Sequence, residues 1–233
     1  MGIIEDILSA ARPELTVTQL SQFRAYYTLL ELANQVMNLT AISGEQNVAT
    51  LHFLDSLIID EAAELEGKRV IDIGSGAGFH GIPLKIAHPG MNLTLLDALT
   101  KRVNFMHSVC EQIETDVVTV HGRAEELSRE SDYREKYDYA ISRAVANLNM
   151  LCELCVPFIK VGGRMIAMKS IDCNDEIAAA EGCIKRLGCE LDEVRDYVIP
   201  GTDIAHRLVI IRKVRHTPDP YPRRFAKIQK EPL

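Results

Sequence analysis

No apolar run in this chain is long enough to read as a membrane-spanning helix, which takes roughly 18 or more residues. The first residues carry Glu5 and Asp6 where a secretory signal would want positive charge, so a cytoplasmic protein is expected. No second cysteine pair stands near the single CxxC of Cys152 and Cys155, and the six cysteines (Cys110, Cys152, Cys155, Cys173, Cys183, Cys189) are scattered. That argues against a disulfide framework and makes a zinc site a poor reading. Free thiols are expected, with Cys152 and Cys155 facing a core one turn apart, and no metal. Internal repeats and low-complexity segments are also missing.

What remains is an ordinary globular composition: 233 residues, 47% apolar and 25% charged, enough for one domain with an appendage. The formal net charge of −7 is unevenly spread. Residues 206–233 hold Arg207, Arg212, Lys213, Arg215, Arg223, Arg224, Lys227 and Lys230 against Asp219 and Glu231, which leaves the rest strongly acidic. A basic tail can contact phosphate, or it can be a solvated terminus; binding follows the local field and not the sum.

Apolar residues recur at helical spacing from Val17 to Leu39 (Leu20, Phe23, Tyr27, Leu30, Met37), with Pro13 and Thr16 marking the entry. A second helical run follows from Val48 to Leu65, and a shorter one lies near Ile3 to Ala10. After Glu66-Gly67 the period changes. Strands are expected at Arg69–Ile73, Asn92–Asp97, Asp116–His121, Tyr137–Ser142, Arg164–Lys169, Cys189–Ile199 and Arg207–Val214. Helices fall between the first six, at Pro83–Ala87, Lys101–Ile113, Ala124–Ser128, Leu148–Ile159 and Asn174–Leu187. Alternating strands and helices predict an α/β fold: a Rossmann-like, seven-stranded, mostly parallel sheet with an antiparallel edge hairpin and an N-terminal helical extension. The expected division is 1–66 for the helical extension, 67–216 for the sheet domain and 217–233 for a basic, proline-containing tail, extended and partly mobile.

The strongest chemical signal is Asp72-Ile73-Gly74-Ser75-Gly76-Ala77-Gly78-Phe79, at the carboxyl end of the first strand, where a doubly wound sheet opens its ligand crevice. Glycines there let a ligand lie on the backbone. The third glycine falls two residues after Gly76 instead of three, and an acid precedes Gly74 by two, which favours S-adenosylmethionine over a nicotinamide dinucleotide. Asp97 ends the next strand 23 residues after Gly74, placed to accept from both hydroxyls of a ribose or to cap the following helix. Ala124 and Glu125 after the third strand could meet an adenine through a backbone amide and a polar side chain, or Glu125 could be an ordinary helix-start acid.

Taken with Asn38-Leu39-Thr40, His52 and Leu54-Asp55-Ser56, Gly81-Ile82-Pro83, Ile141-Ser142-Arg143-Ala144 and Gly162-Gly163-Arg164, these motifs resemble, over nearly the full length, the bacterial 16S ribosomal RNA guanine-N7 methyltransferases historically called the glucose-inhibited division protein B family. The resemblance implies methyl transfer from S-adenosylmethionine, leaving S-adenosylhomocysteine, to N7 of one guanine in the 530 loop by a monomeric enzyme. It also implies cofactor contacts at Gly74, Phe79, Ala124, Glu125 and Arg143; the residue reading adds Asp72, Gly76, Gly78 and Asp97. The partner would be 16S rRNA, the small subunit or an assembly intermediate.

Guanine N7 has an in-plane lone pair and no proton, so in-line attack needs no general base. The chain accordingly has no Asn-Pro-Pro-Tyr or Pro-Cys motif. No acid/base residue is nominated; alignment of the reactants can supply on the order of 7–11 kcal/mol. Arg143 is expected to organise the site, because the end of the fourth strand borders the methyl-transfer site in this architecture; the plainer alternative is a surface ion pair. Lys101, Arg123, Lys169 and Arg207 are candidate phosphate contacts. His52 and Asp55 are expected to tie the helical segment to the sheet. The alternatives are a methyltransferase acting on another RNA, a protein or a small molecule, an inactive ribosome-assembly RNA-binding protein and, last, a nicotinamide oxidoreductase.

Overall fold

The alternating side chains of β1 (Arg69–Ile73) send Val70 into one hydrophobic core and Ile71 and Ile73 into another, so this strand lies inside a sheet covered on both faces. The computed structural model describes residues 2–143 and 146–233; Ala144, the last residue of the Ile141–Ala144 motif, lies outside them. The other strands are β2 (Asn92–Asp97), β3 (Val117–His121), β4 (Tyr137–Arg143), β5 (Ile159–Ser170), β6 (Cys189–Val198) and β7 (Ala205–Lys213). Their order is β3-β2-β1-β4-β5-β7-β6. The first five run parallel, and β7 is antiparallel to both β5 and β6. This is the expected parallel sheet with an antiparallel edge hairpin.

β5 begins five residues earlier than the apolar pattern suggested, because Ile159 pairs with Tyr137 across a bulge in which β5 advances five residues against two of β4. Gly163 permits this: a Cβ there would lie 2.7 Å from the Asp138 carbonyl.

One face carries the N-terminal helices α1 (Ile3–Ala11) and α2 (Val17–Met37). Thr16 and Gln19 form a capping box at the start of α2, and Asn38 ends it in the left-handed conformation. Leu20, Phe23, Tyr26 and Leu30 are its buried stripe. The spacing favoured Tyr27 over Tyr26. The structure buries Tyr26, whose hydroxyl donates to the Ala77 carbonyl at 2.7 Å, and leaves Tyr27 half-buried beside Arg24. Fully burying each large side chain is worth about 1.5–3 kcal/mol, so α2 is held firmly on the glycine turn it helps to position.

The second helical run is composite: α3 (Glu45–Val48), a π-helical turn (Ala49–Leu54), α4 (Asp55–Leu57) and a 3-10 turn (Ile58–Glu61). The same face carries α5 (Gly81–Ala87) and α6 (Thr100–Gln112). The short α7 (Ala124–Leu127) follows β3; α8 (Leu148–Cys155) and α9 (Asn174–Arg186) cover the other face. All six cysteines are free and buried, and Cys152 and Cys155 sit in that second core.

The tail departs from the extended, partly mobile segment expected. It forms α10 (Phe225–Lys230), whose Ile228 is fully buried. Glu153, itself fully buried, accepts from the Arg223 backbone N–H at 2.8 Å and from its Nε and Nη2 at 2.9 and 2.7 Å. Arg134 donates to the carbonyls of Thr217 and Tyr221 at 2.9 and 3.0 Å. The prolines suggested an unanchored strand; long-range arginine contacts and one apolar helix face anchor it instead.

Candidate functional site

Gly74, Gly76 and Gly78 have φ of 71°, 63° and 87°, a backbone that side chains rarely tolerate. The turn folds over the end of β2, where the N–H groups of Gly74 and Ser75 donate to the Leu96 carbonyl at 2.9 and 3.1 Å. A Cβ on Gly76 would meet nothing nearer than 4.0 Å, so this position opens on the crevice. Gly78 serves packing, since a Cβ there would lie 2.4 Å from Ile82. Asp72 also works from behind: it is 1% exposed and accepts the Gly81 N–H at 3.0 Å, and burial pushes its carboxyl up to about 7.

Asp97 stands on the crevice side. Its Oδ2 accepts the Gly76 N–H at 3.0 Å, its Oδ1 accepts the Leu99 N–H at 2.9 Å, and Arg102 Nη1 lies 3.5 Å away. The Leu99 contact is a two-residue turn ahead of α6 and not a cap, since Leu99 is the N-cap and no side chain caps the helix. A carboxylate has about four acceptor sites; the Gly76 and Leu99 N–H groups and the long Arg102 contact take three, which leaves one for a ribose hydroxyl. The Gly122 N–H donates to the Asp97 carbonyl at 3.1 Å, bringing Ala124 and the buried Glu125 to the same rim. Open glycine backbone, an acceptor at the end of β2 and a helix start after β3 together fit a nucleoside cofactor.

On the other side of β4 the site is built from side chains. Asp55, fully buried, accepts from Arg143 Nη1 at 3.0 Å, Tyr197 Oη at 2.8 Å and His206 Nδ1 at 3.1 Å. Burial raises the carboxyl, but the hydrogen bonds from His206 and Tyr197 and the Arg143 charge outweigh it, and the net shift is downward. Arg143 Nη2 lies 3.2 Å from His52 Nδ1, and His52 Nε2 lies 3.0 Å from Thr40 Oγ1. Because Arg143 can only donate, His52 carries its proton on Nε2 and gives it to Thr40. Burial, then the Arg143 charge, pushes His52 down to about 3, so the ring is neutral. It stacks on Phe79 at 3.7 Å between centroids. Ser56 donates to the carbonyls of His52 and Phe79. His52 and Asp55 thus do tie the helical segment to the sheet. Tyr197 and His206 were missed; only the hairpin pairing of β6 with β7, which sets Tyr197 opposite His206, could have linked them.

Beside Arg143 lies a cleft of about 480 Å³, walled by Ile42, Leu51, Met168, Ile199 and Ile204 and edged by Lys169, Glu176 and His206. Arg143 also lies 5.9 Å over the Phe79 ring, at the exit of the glycine turn. The four candidate phosphate contacts divide. Lys101 and Arg123 are exposed, with Arg123 5.6 Å over the Phe225 ring. Lys169 is not a surface cation: its side chain is 9% exposed and pairs with Glu176 at 2.5 Å. Arg207 is held by Asp196 at 2.5 and 2.9 Å and by Asn174 at 2.5 Å. Of the other basic residues near the C-terminus, Lys213 is fully buried against Glu135 and Arg223 is bound to Glu153. Arg224, Lys227 and Lys230 are exposed.

Solved structures share this architecture at low identity. An O-methyltransferase from Bacillus cereus in complex with SAH matches with a TM-score of 0.61 over 90% of this chain and 97% of its own, at 16% identity. TrmN from Thermus thermophilus matches with a TM-score of 0.55 over 78% and 53%, at 15% identity. The fold is that of the Rossmann-like methyltransferases. Residues 19–203 match the GidB family model, described as rRNA small subunit methyltransferase G. Proteins named ribosomal RNA small subunit methyltransferase G are 49% identical in Alkaliphilus oremlandii, over 94% of this chain and 93% of that one, and 45% identical in Lachnoclostridium phytofermentans, over 94% and 92%. The chain belongs to this family of S-adenosylmethionine-dependent rRNA methyltransferases. Among the described residues no helix is long and apolar enough to cross a membrane.

Proposed function

We propose that the chain transfers a methyl group from S-adenosylmethionine to N7 of a guanine in the 530 loop of 16S rRNA, acting as a cytoplasmic monomer on the RNA, the small subunit or an assembly intermediate. One arrangement carries the reading: Arg143 stands between the glycine turn, through Phe79, and the apolar cleft. A donor at the turn and a base in the cleft would be neighbours of one guanidinium.

Gly74 and Gly76 offer bare backbone, Asp97 an acceptor for a ribose hydroxyl, and Phe79, Ala124 and Glu125 the flanks of the nucleoside site. Asp72 and Gly78 support it from behind the turn. When bound, the cofactor supplies a methyl group on a positively charged sulfur. Guanine N7 has a free lone pair and no proton, so the chain needs no base. His52, held neutral and bonded to Thr40 and Arg143, serves to fix Arg143. The protein's contribution is then orientation and exclusion of water. Exposed Lys101 and Arg123 remain as phosphate contacts, joined by Arg224.

The test is to give purified protein small-subunit RNA and intact subunits with methyl-labelled cofactor, then map the label by borohydride reduction and aniline cleavage at N7-methylguanine. A single labelled guanine N7 in the 530 loop is expected. Label on an adenine, a ribose or a protein would overturn the proposal.

A further inference from the structure

Guanine differs from the other RNA bases in its Watson–Crick edge: an acceptor (O6), then a ring N–H (N1), then an amino group (N2). No other base of the four presents acceptor, donor, donor in that order, and flipped or single-stranded bases are read on this edge. Its complement is a cation beside a carboxylate. The cleft next to Arg143 contains such a pair, Lys169 at the end of β5 and Glu176 in the first turn of α9, with Nζ 2.5 Å from Oε2. Lys169 is also held by the Ala146 carbonyl at 3.0 Å, so the pair is fixed in place. Its side chains are 9% and 26% exposed, sunk between aliphatic walls that suit the faces of a purine. The volume of about 480 Å³ is within the roughly 300–1,000 Å³ usual for small-molecule sites.

We infer that Glu176 and Lys169 select guanine, Lys169 donating to O6 and Glu176 accepting from N1–H and N2–H through Oε1, since Oε2 is buried against Lys169. This rests on the function proposed above and deepens it. The sheet order supplies the orientation. From the glycine turn on β1 one passes to Arg143 on β4, then Lys169 on β5, and Glu176 lies just beyond. Gripping the N1/N2 edge at the far end of that row turns N7, on the opposite side of the ring, back toward Arg143 and the turn. Glu176 therefore specifies the base and aims its nucleophile at once.

The experiment compares small-subunit RNA carrying guanine or inosine at the methylated position, with full-length wild type and Glu176→Gln. Inosine keeps N7, O6 and N1–H and lacks only the 2-amino group. Wild type should favour guanine in kcat/KM by about ten- to hundredfold, the size of a hydrogen bond to a charged group. Glu176→Gln should bring that preference to within about threefold while leaving affinity for S-adenosylhomocysteine unchanged. A side chain that merely tethers α9 to β5 would lower both substrates equally. An unchanged guanine-to-inosine ratio in the variant, or no preference in wild type, would overturn the inference while the methyltransferase reading stands. A wild type that methylates no guanine N7 would end both.

Discussion

The two sides of β4 are made by different means. On one side, Gly74, Gly76, Asp97 and Ala124 form a crevice from backbone conformation and strand-end positions, all between residues 72 and 125. On the other, Thr40, His52, Asp55, Arg143, Tyr197 and His206 form a network of side chains gathered from across the chain around the fully buried Asp55. The first needs only a local turn to be correct. The second exists only when the N-terminal helices and the edge hairpin are both docked, so it joins global folding to the placement of Arg143.

Asp55→Ala should separate the two sides most clearly. It leaves the half-buried Arg143 guanidinium and the buried Tyr197 hydroxyl without their acceptor and should cost about 1–3 kcal/mol in denaturant unfolding, while folded protein keeps its affinity for S-adenosylhomocysteine. Loss of both together would mean that the sides are not independent. Gly74→Asp should do the reverse. A side chain at φ 71° in the crevice should weaken cofactor binding at least about a hundredfold, roughly 2.7 kcal/mol, with the fold retained.

The legibility of the sequence follows the same line. The glycine turn, the place of Asp97 at a strand end and the positions of most strands were readable because each depends on neighbours close in sequence and on a strong period of two or 3.6. The pairing of Lys169 and Arg207 was not legible, because a sequence shows charge and not partners. Glu176 lies seven residues beyond Lys169 on the next helix, and Asp196 faces Arg207 across the hairpin. The docked tail was invisible for the same reason: Glu153 is an unremarkable helix acid until Arg223 reaches it. Spacing put Tyr27 on the buried stripe; Tyr26 takes that place because its hydroxyl reaches the Ala77 carbonyl.

Proton linkage offers a finer separation, since the two sides respond with opposite sign. His52 is held to about 3 in the folded protein against 6.5. Its contribution is therefore full above pH 6.5 and is lost as pH falls toward 3. Asp72 is raised to about 7 from 3.8, so its contribution is full below pH 3.8 and is lost as pH rises through 7. In urea titrations across pH, His52→Gln should flatten the acid limb and Asp72→Asn the rise-linked limb, each by at most about 1.4 kcal/mol per pH unit. Unchanged limbs would contradict the burial assigned to these groups.

The smallest effects belong to the surface. Lys101→Ala or Arg224→Ala should each reduce the salt slope of RNA binding by roughly one. Arg207→Ala should leave it unchanged, because Asp196 already satisfies that guanidinium.

Calorimetric titration of S-adenosylhomocysteine into wild type and Asp97→Ala probes the glycine-turn site most directly. Saturable one-site binding in the wild type and none in Asp97→Ala is the predicted result. Equal binding by both proteins, or tight binding of a nicotinamide dinucleotide in its place, would contradict the assignment.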